Sequence, residues 1–472
     1  MASTHLTFTN GTPTNNAKFT ISVWSKRSGL ASSDYMNIMN SRQTSSTSGL
    51  GLWWGNDSFY YNFGTGVTGT AYCQSTAKYR DVNGWYHMVV AGDTTQSGTD
   101  KLKFWINGEQ ITSFSNDQRS SFVGLDYDIG NTNYPILVGM KHDSTYYYNG
   151  SMSHLHFIDG TAYQASDFGL TDSTTGEWKI NTAPNVTYGN NGFFILKDGN
   201  SVTDQSGNGN NFTVGGGTLT NTEDCPSNVF CTMNPLDFDY ANVDTDLYYG
   251  NTLVYPRSNS NYNYAVSTLA MPKGNGKFYA EVKYLTYDTV TAGVGIVDMD
   301  YASEIFYQNY NLPEQTNSTS IGRVIYLKNG YSIIPSTENN SYGSSYANGD
   351  IIQIACDMEN GAIYFGKNGT WQNSGDPTSG ASKTGAIDIS SQSWYTGTTH
   401  WGFWCGDKAS NHDRFAWNFG NGSFGNTSGY SATPTITSTA LVSEGTNASG
   451  IGKFEYDVPT GYTALSTKGL NE

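Results

Sequence analysis

Apolar and polar residues alternate with a period of two in short stretches along most of this chain, and turn-forming residues separate the stretches. In Lys18–Arg27 the residues Phe19, Ile21 and Val23 share one side, which predicts a strand with one buried face. Asn83–Asp93 enters a second strand through an Asn-Gly pair. Lys101–Phe114 holds two alternating runs around Asn107-Gly108, the pair best suited to the two positive φ angles of a type I′ hairpin. Tyr134–Met140 and Gly150–Asp159 predict further strands, and Gln164–Gly169 reads as a short capped turn. The same pattern returns in Gly276–Thr286, Thr291–Asp298, Asn348–Gly375, His400–Asp407 and Phe415–Asn421.

Composition agrees with strands. The 22 Phe, 34 Tyr and 11 Trp make aromatics 14% of the chain, equal to the charged share, and 54 Gly supply turns. Little Lys, Glu or Ala is left to clothe solvated helices. At 472 residues the chain is long enough for two or three cores. Between the two strand-rich blocks, Phe193–Val214 carries two strand-like pieces around a Gly/Asn loop, and Gly215–Phe230 has linker composition. The expected organisation is a sandwich over residues 1–169, a connector with short strands over 170–235, a second sandwich over 236–427, and a linker with a closing β segment over 428–472.

Charge narrows the partners. A net charge of −16 is opposite to the basic footprint that nucleic acid requires, and it disfavours anionic membranes. No segment approaches the apolar length of a membrane span. Met1–Asn10 lacks the basic start and apolar run of a signal peptide, so synthesis in a cytoplasm is expected. Five cysteines (Cys73, Cys225, Cys231, Cys356 and Cys405) show no zinc-ligand spacing. They read as free thiols, with a Cys225–Cys231 bridge as the alternative.

The first block resembles the laminin G-like, concanavalin A-like family in several places in order: Phe19, Thr20, Ile21 and Trp24; then Trp85, Tyr86, His87, Val89, Val90 and Asp93; then Leu102, Trp105, Asn107 and Gly108; and loosely Tyr148, Asn149, Gly150, Met152 and Phe157. The second block resembles the SPRY family at Gly349, Asp350, Ile352, Asp357, Ile363, Phe365, Asn368 and Gly369. Tyr279, Glu281 and Val282 match its early strand, and Asn418, Phe419 and Gly420 its end. The resemblance implies two tandem concanavalin A-like jelly-roll β-sandwiches, all-β, with a connector and a short C-terminal β segment. Such modules with the ending Tyr456–Leu465 look like virion proteins of tailed phages of aquatic bacteria. That analogy implies a virion-surface location, as a capsid decoration or tail appendage, and homo-oligomers, trimeric in a fibre. Its partners would be other virion proteins and host-surface polysaccharide. A purely structural cement is the alternative.

Chemistry is sparse. The E-x-D-x-x-E triplet of glycoside hydrolases on this fold is missing, and no G-x-S-x-G elbow lies between strand and helix. No enzyme is expected, a glycan-degrading one being the least favoured alternative. His87, His154 and His156 read as sheet histidines, the last two alternating along one strand. No cofactor is required. Calcium is the one candidate ion, with Asp298, Asp300 and Glu304 as weak ligands; Asp93, Asp100, Asp126, Asp128, Asp143, Asp244 and Asp246 read more readily as turn formers. Glycan contact needs exposed aromatics beside amides. Trp53, Trp54 and Tyr60, then Tyr146 and Tyr147, then Trp394, Tyr395 and Trp401 have those ingredients, with core packing as the competing reading.

Overall fold

A computed structural model describes residues 4–30, 35–41, 49–65, 70–125, 132, 134–197, 201–236, 245–256, 263–285, 292–299, 322–335, 337–397, 399–407, 413–427 and 434–471. The chain is all-β and divides into two compact units, one spanning mainly residues 2–221 and the other 228–472. No described helix is long and apolar enough to cross a membrane. All five cysteines are free, so the Cys225–Cys231 alternative does not hold.

In the first unit most of the described strands form two antiparallel sheets, beside a two-stranded pair of Gly169–Thr171 with Trp178–Ile180. One has eight strands in the order Phe114–Asn116, Thr70–Ser75, Ser58–Gly64, Leu50–Gly55, Tyr35–Ser41, Pro135–Val138, His5–Thr9, Thr213–Gly216. The other has six: Phe193–Ile195, Gly150–Asp159, Lys18–Arg27, Tyr86–Asp93, Leu102–Ile106, Glu109–Gln110. The core lies between them. Phe19, Ile21, Val23, Val90 and Phe104 of the six-stranded sheet meet Ile38, Leu52, Trp54 and Tyr61 of the eight-stranded one, all buried. The expected hairpin is present: Asn107 and Gly108 have φ of 48° and 82°, and Ile106 pairs with Glu109.

Segments expected to act as a connector add to these sheets. Phe193–Ile195 pairs with Gly150–Asp159, and Thr213–Gly216 pairs with the first strand. Residues 161–188 also roof the outer side of the six-stranded sheet. Thr20 donates its hydroxyl to the Thr161 carbonyl, and the Trp178 indole N–H donates to His87 Nδ1 at 3.0 Å. With Nδ1 accepting, neutral His87 carries its proton on Nε2, 2.8 Å from Ser22 Oγ. Trp24 stacks on the same imidazole at 4.8 Å. Burial, and then the nearby His154, pushes the His87 pKa down to about 3. His156, stacked on Phe194 at 3.9 Å, is held well below its usual range by the same causes. The expected alternation of His154 and His156 is broken by a bulge, where the register shifts and His154 takes φ of 48°.

In the second unit, Thr245–Tyr248, Leu253–Pro256, Arg414–Asn418, Lys277–Leu285, Ile351–Asp357, Ala362–Lys367 and Thr370–Trp371 lie side by side. They face a sheet made of Asn263–Val266, His400–Asp407, Ala292–Asp298, Arg323–Leu327, Ser332–Ile334 and Thr337–Asn339. Val282, Ile354 and Trp417 meet Val294, Tyr326 and Phe403 between the sheets. The outer side of the first of these sheets is again roofed, here by the C-terminal segment. Ile451, Phe454, Val458 and Tyr462 pack on Tyr279, Ala355 and Tyr364, and Thr463–Ala464 pairs in parallel with Phe278 and Tyr279.

Glu281 fastens this roof. Its side chain is fully buried (0% exposed) on the outer side of its strand. Tyr279 Oη and the Tyr456 amide donate to Oε1 at 3.0 and 2.8 Å; Asn418 Nδ2 and the Glu455 amide donate to Oε2 at 3.3 and 2.8 Å. Burial outweighs these four donors and pushes the Glu281 pKa up to about 7.

The two units therefore respond to pH with opposite signs. In the first, histidines kept neutral below their free pKa contribute fully above about pH 6.5 and lose their contribution as pH falls, by up to roughly 1.4 kcal/mol per pH unit for each histidine. In the second, a carboxyl whose pKa is raised contributes fully below the ordinary carboxylate range and loses that contribution as pH rises through about 7. Calorimetry between pH 5 and 8 is expected to show two transitions moving in opposite directions, with Glu281→Gln flattening only the second. Parallel movement of both would contradict this assignment.

Candidate functional site

The eight-stranded sheet of the first unit offers an outer side whose described surface carries an aromatic row. Alternation places Leu50, Leu52 and Trp54 inward and leaves Gly51, Trp53 and Gly55 outward. Trp53 pairs across to Tyr60, and the rings stack at 5.7 Å; Tyr60 in turn stacks on Tyr72 at 6.2 Å. Tyr35 meets Trp53 edge-on at 6.2 Å and Tyr146 at 5.2 Å. The row thus crosses four adjacent strands and ends on a loop residue. Tyr72 and Tyr146, its two ends, are the most open members at 39% and 40% exposed.

Two glycines make room for the row. A Cβ at Gly51 would stand 2.4 Å from the Trp53 ring, and one at Gly55 would stand 2.7 Å from Tyr35 and 3.1 Å from Tyr60. The rings therefore lean over bare backbone, as aromatics do across sheet glycines. Burial raises the Tyr60 pKa, so its hydroxyl stays protonated and able to donate.

Beside the aromatics runs a row of amides. Asn37 Nδ2 donates to the Tyr146 carbonyl at 3.3 Å, Asn40 Nδ2 to the Leu50 carbonyl at 3.0 Å, and Asn62 Nδ2 to the Gly49 carbonyl at 3.3 Å. Three polar atoms on these strands are shielded from water and have no partner: Asn37 Oδ1, Asn62 Oδ1 and Trp53 Nε1. Leaving a buried donor or acceptor unmade costs about 1–3 kcal/mol. All three belong to residues paired across neighbouring strands of this sheet.

Of the residues singled out from the sequence, Trp53, Tyr60 and Tyr146 come together here. Tyr147 sits apart, its ring 6.4 Å from that of His5. Trp54 belongs elsewhere. At 1% exposed it faces the core, its indole N–H donates to Ser25 Oγ at 3.1 Å, and the Arg27 guanidinium lies 4.8 Å over its ring. The second-unit cluster is also core: Trp401 is 0% exposed, and Trp394 and Tyr395 pack on it at 5.9 and 5.5 Å. None of these four rings has a face to offer a sugar. Tyr35, Tyr72 and the amides of Asn37 and Asn62 were not anticipated. Their signal was strand phase, since each falls on the side that Trp53 and Tyr60 share.

Asp298 ends its strand almost fully buried, and Asp300 and Glu304 lie outside the described residues. Among the described residues no group of three or more His, Cys, Asp or Glu is placed to hold a metal. Asp93 is engaged by Lys18 and Thr95, Asp143 by Lys141 and Thr145, Asp100 by Lys103, and Asp246 by Tyr248. Asp126, Asp128 and Asp244 lie outside the described residues.

Residues 1–167 match the family described as the concanavalin A-like lectin/glucanases superfamily, so this part of the chain is similar to a laminin G-like, concanavalin A-like module. No curated protein matches the chain significantly. Among solved structures the chain is similar to the SPRY domain of human HERC1, at 14% identity over 39% of this chain and 96% of that one (TM-score 0.27). It is similar to the LG1-3 region of the laminin alpha2 chain at 9% identity, covering 93% of this chain and 61% of that one (TM-score 0.30). It is also similar to a Bacteroides ovatus protein assigned to carbohydrate binding, at 16% identity over 46% and 60% of the two chains (TM-score 0.30). The chain thus spans about three fifths of the length of the last two.

Truncation separates core rings from surface rings. Trp54→Ala and Trp401→Ala are each expected to lower stability by roughly 3–5 kcal/mol, and Tyr72→Ala and Tyr146→Ala to change it by about 0.5 kcal/mol or less. Denaturant unfolding measures both. Tolerance of Trp401→Ala would contradict its place in the core.

Proposed function

We propose that the chain is a non-enzymatic virion-surface protein of a tailed phage, and that its first unit binds glycan on the outer side of the eight-stranded sheet. The observation that carries the binding reading is the row Tyr72–Tyr60–Trp53–Tyr35–Tyr146 flanked by asparagine amides. Aromatic faces and edges suit the C–H-bearing sides of sugars, and amides suit their hydroxyls. The opposite, six-stranded sheet is covered by residues 161–188.

The family match over residues 1–167 supports a lectin-like use of this unit. The virion location rests on the sequence resemblance alone. Other virion proteins are the expected protein partners, in a homo-oligomeric assembly, and no metal is needed for the aromatic row to act.

A structural role for the same side is the second reading. It is favoured by the way Trp53, Tyr60 and Tyr72 stack on one another, since rings with occupied faces suit a packed interface between subunits.

Quantitative mass spectrometry of purified particles of the source virus, together with a binding panel of the pure chain, tests both halves. Detection in particles is expected, as is polysaccharide binding that Tyr72→Ala and Tyr146→Ala each weaken roughly tenfold, about 1.4 kcal/mol. Absence from particles would remove the virion role. Binding untouched by either substitution would move the glycan site elsewhere.

A further inference from the structure

Four adjacent strands beneath the aromatic row are unusual in one respect: Tyr35–Ser41, Leu50–Gly55, Ser58–Gly64 and Thr70–Ser75 contain no Lys, Arg, Asp or Glu. Among the described residues, Lys141 lies 5.2 Å over the Tyr146 ring and is already paired with Asp143 at 2.6 Å. These four strands thus offer a polyanion no countercharge, and the chain as a whole carries a net charge of −16.

What this side does offer is hydrogen-bonding capacity of both kinds. Asn37 Oδ1 and Asn62 Oδ1 are acceptors without donors, and Trp53 Nε1 is a donor without an acceptor. They lie close in register: Asn37 is paired with Trp53, Trp53 with Tyr60, and Asn62 with Gly51 under the Trp53 ring. Hydroxyl groups, which donate and accept at once, complement that set; carboxylates and sulfates only accept. The Trp53 ring and Asn62 Oδ1 both lie against Gly51, and the Tyr35 and Tyr60 rings against Gly55, so these glycines leave the rings room to move.

Resting on the glycan reading above, we infer that the ligand of this sheet is an uncharged, hydroxyl-rich polysaccharide lying across the strands from Tyr72 towards Tyr146, and that Trp53 and Tyr60 turn off their glycines as its hydroxyls engage Asn37, Asn62 and the Trp53 indole. A chain, and not a single sugar, is implied because the two open rings stand at opposite ends of the row, four ring-to-ring steps of 6.2, 5.7, 6.2 and 5.2 Å apart.

Affinity electrophoresis of the full chain through gels holding neutral polysaccharides (dextran, mannan, a β-glucan) or acidic ones (alginate, polygalacturonate, heparin) tests the assignment. Retardation by at least one neutral polymer and by no acidic one is expected, with monosaccharides failing to compete. Trp53→Phe keeps the ring and removes the N–H; Asn62→Leu keeps the shape and removes the amide. Each is expected to weaken binding roughly tenfold while Tm changes little: Trp53→Phe removes an unmet donor, and Asn62→Leu removes an unmet acceptor together with the bond to the Gly49 carbonyl.

Preferential retardation by an acidic polymer would overturn the neutral class and leave the glycan reading standing. So would neutral binding that Tyr72→Ala weakens but Trp53→Phe and Asn62→Leu do not, which would overturn the role of the covered atoms. Retardation by no polysaccharide would overturn the inference and the glycan reading together.

Discussion

Alternate side chains of every long strand must be buried between two facing sheets, and this constraint sorts residues that are adjacent in the chain into unlike environments. Trp53 and Trp54 illustrate it. Trp54 points into the first core beneath the Arg27 guanidinium, while Trp53 points outward over Gly51. A slip of one residue would exchange their roles. The register is held by the cross-strand pairs Trp53 with Tyr60 and Trp54 with Phe59, and by the core that receives Leu50, Leu52 and Trp54 together.

Burying one side of each sheet leaves the other to be accounted for. In each unit a segment outside the long strands closes one of these sides, and it is fastened by polar groups instead of by apolar area alone. His87, held neutral between Trp178 and Ser22, ties residues 161–188 to the six-stranded sheet. Glu281, with four donors from three stretches of chain, ties the C-terminal segment to its own sheet. A buried carboxylate or imidazole is costly unless every bond is made, so such fasteners also specify where the segment lies. The outer side of the eight-stranded sheet differs from both. No described segment fastens onto it as these do, and three of its shielded polar atoms, Asn37 Oδ1, Asn62 Oδ1 and Trp53 Nε1, have no partner.

Much of this was legible before any coordinates. Period-two runs and the Asn107-Gly108 pair placed the strands and their hairpin, because local sterics and one buried face decide both. The aromatic clusters were visible too, but which rings face water was not. The motif Leu52-Trp53-Trp54-Gly55 has the same composition in either phase, and a register shift between Asn37 and Met39 lies in the strand beside it. Trp401 reads like Trp53 in sequence. It is core because Trp401, Phe403 and Cys405 share the inward side of their strand. Glu281, flanked by alternating apolar residues, reads as a solvent-facing acid; only a segment more than 170 residues later in the chain makes its position a buried one. Contacts of that separation leave no periodic trace.

Hydrogen–deuterium exchange of the full chain, with and without a saturating polysaccharide that retards it, tests the central claim most directly. The account predicts new protection concentrated in Tyr35–Ser41, Leu50–Gly55, Ser58–Gly64 and Thr70–Ser75, with the strands Lys18–Arg27 and His400–Asp407 unchanged. Protection concentrated in the second unit, with those four strands unaffected, would contradict it.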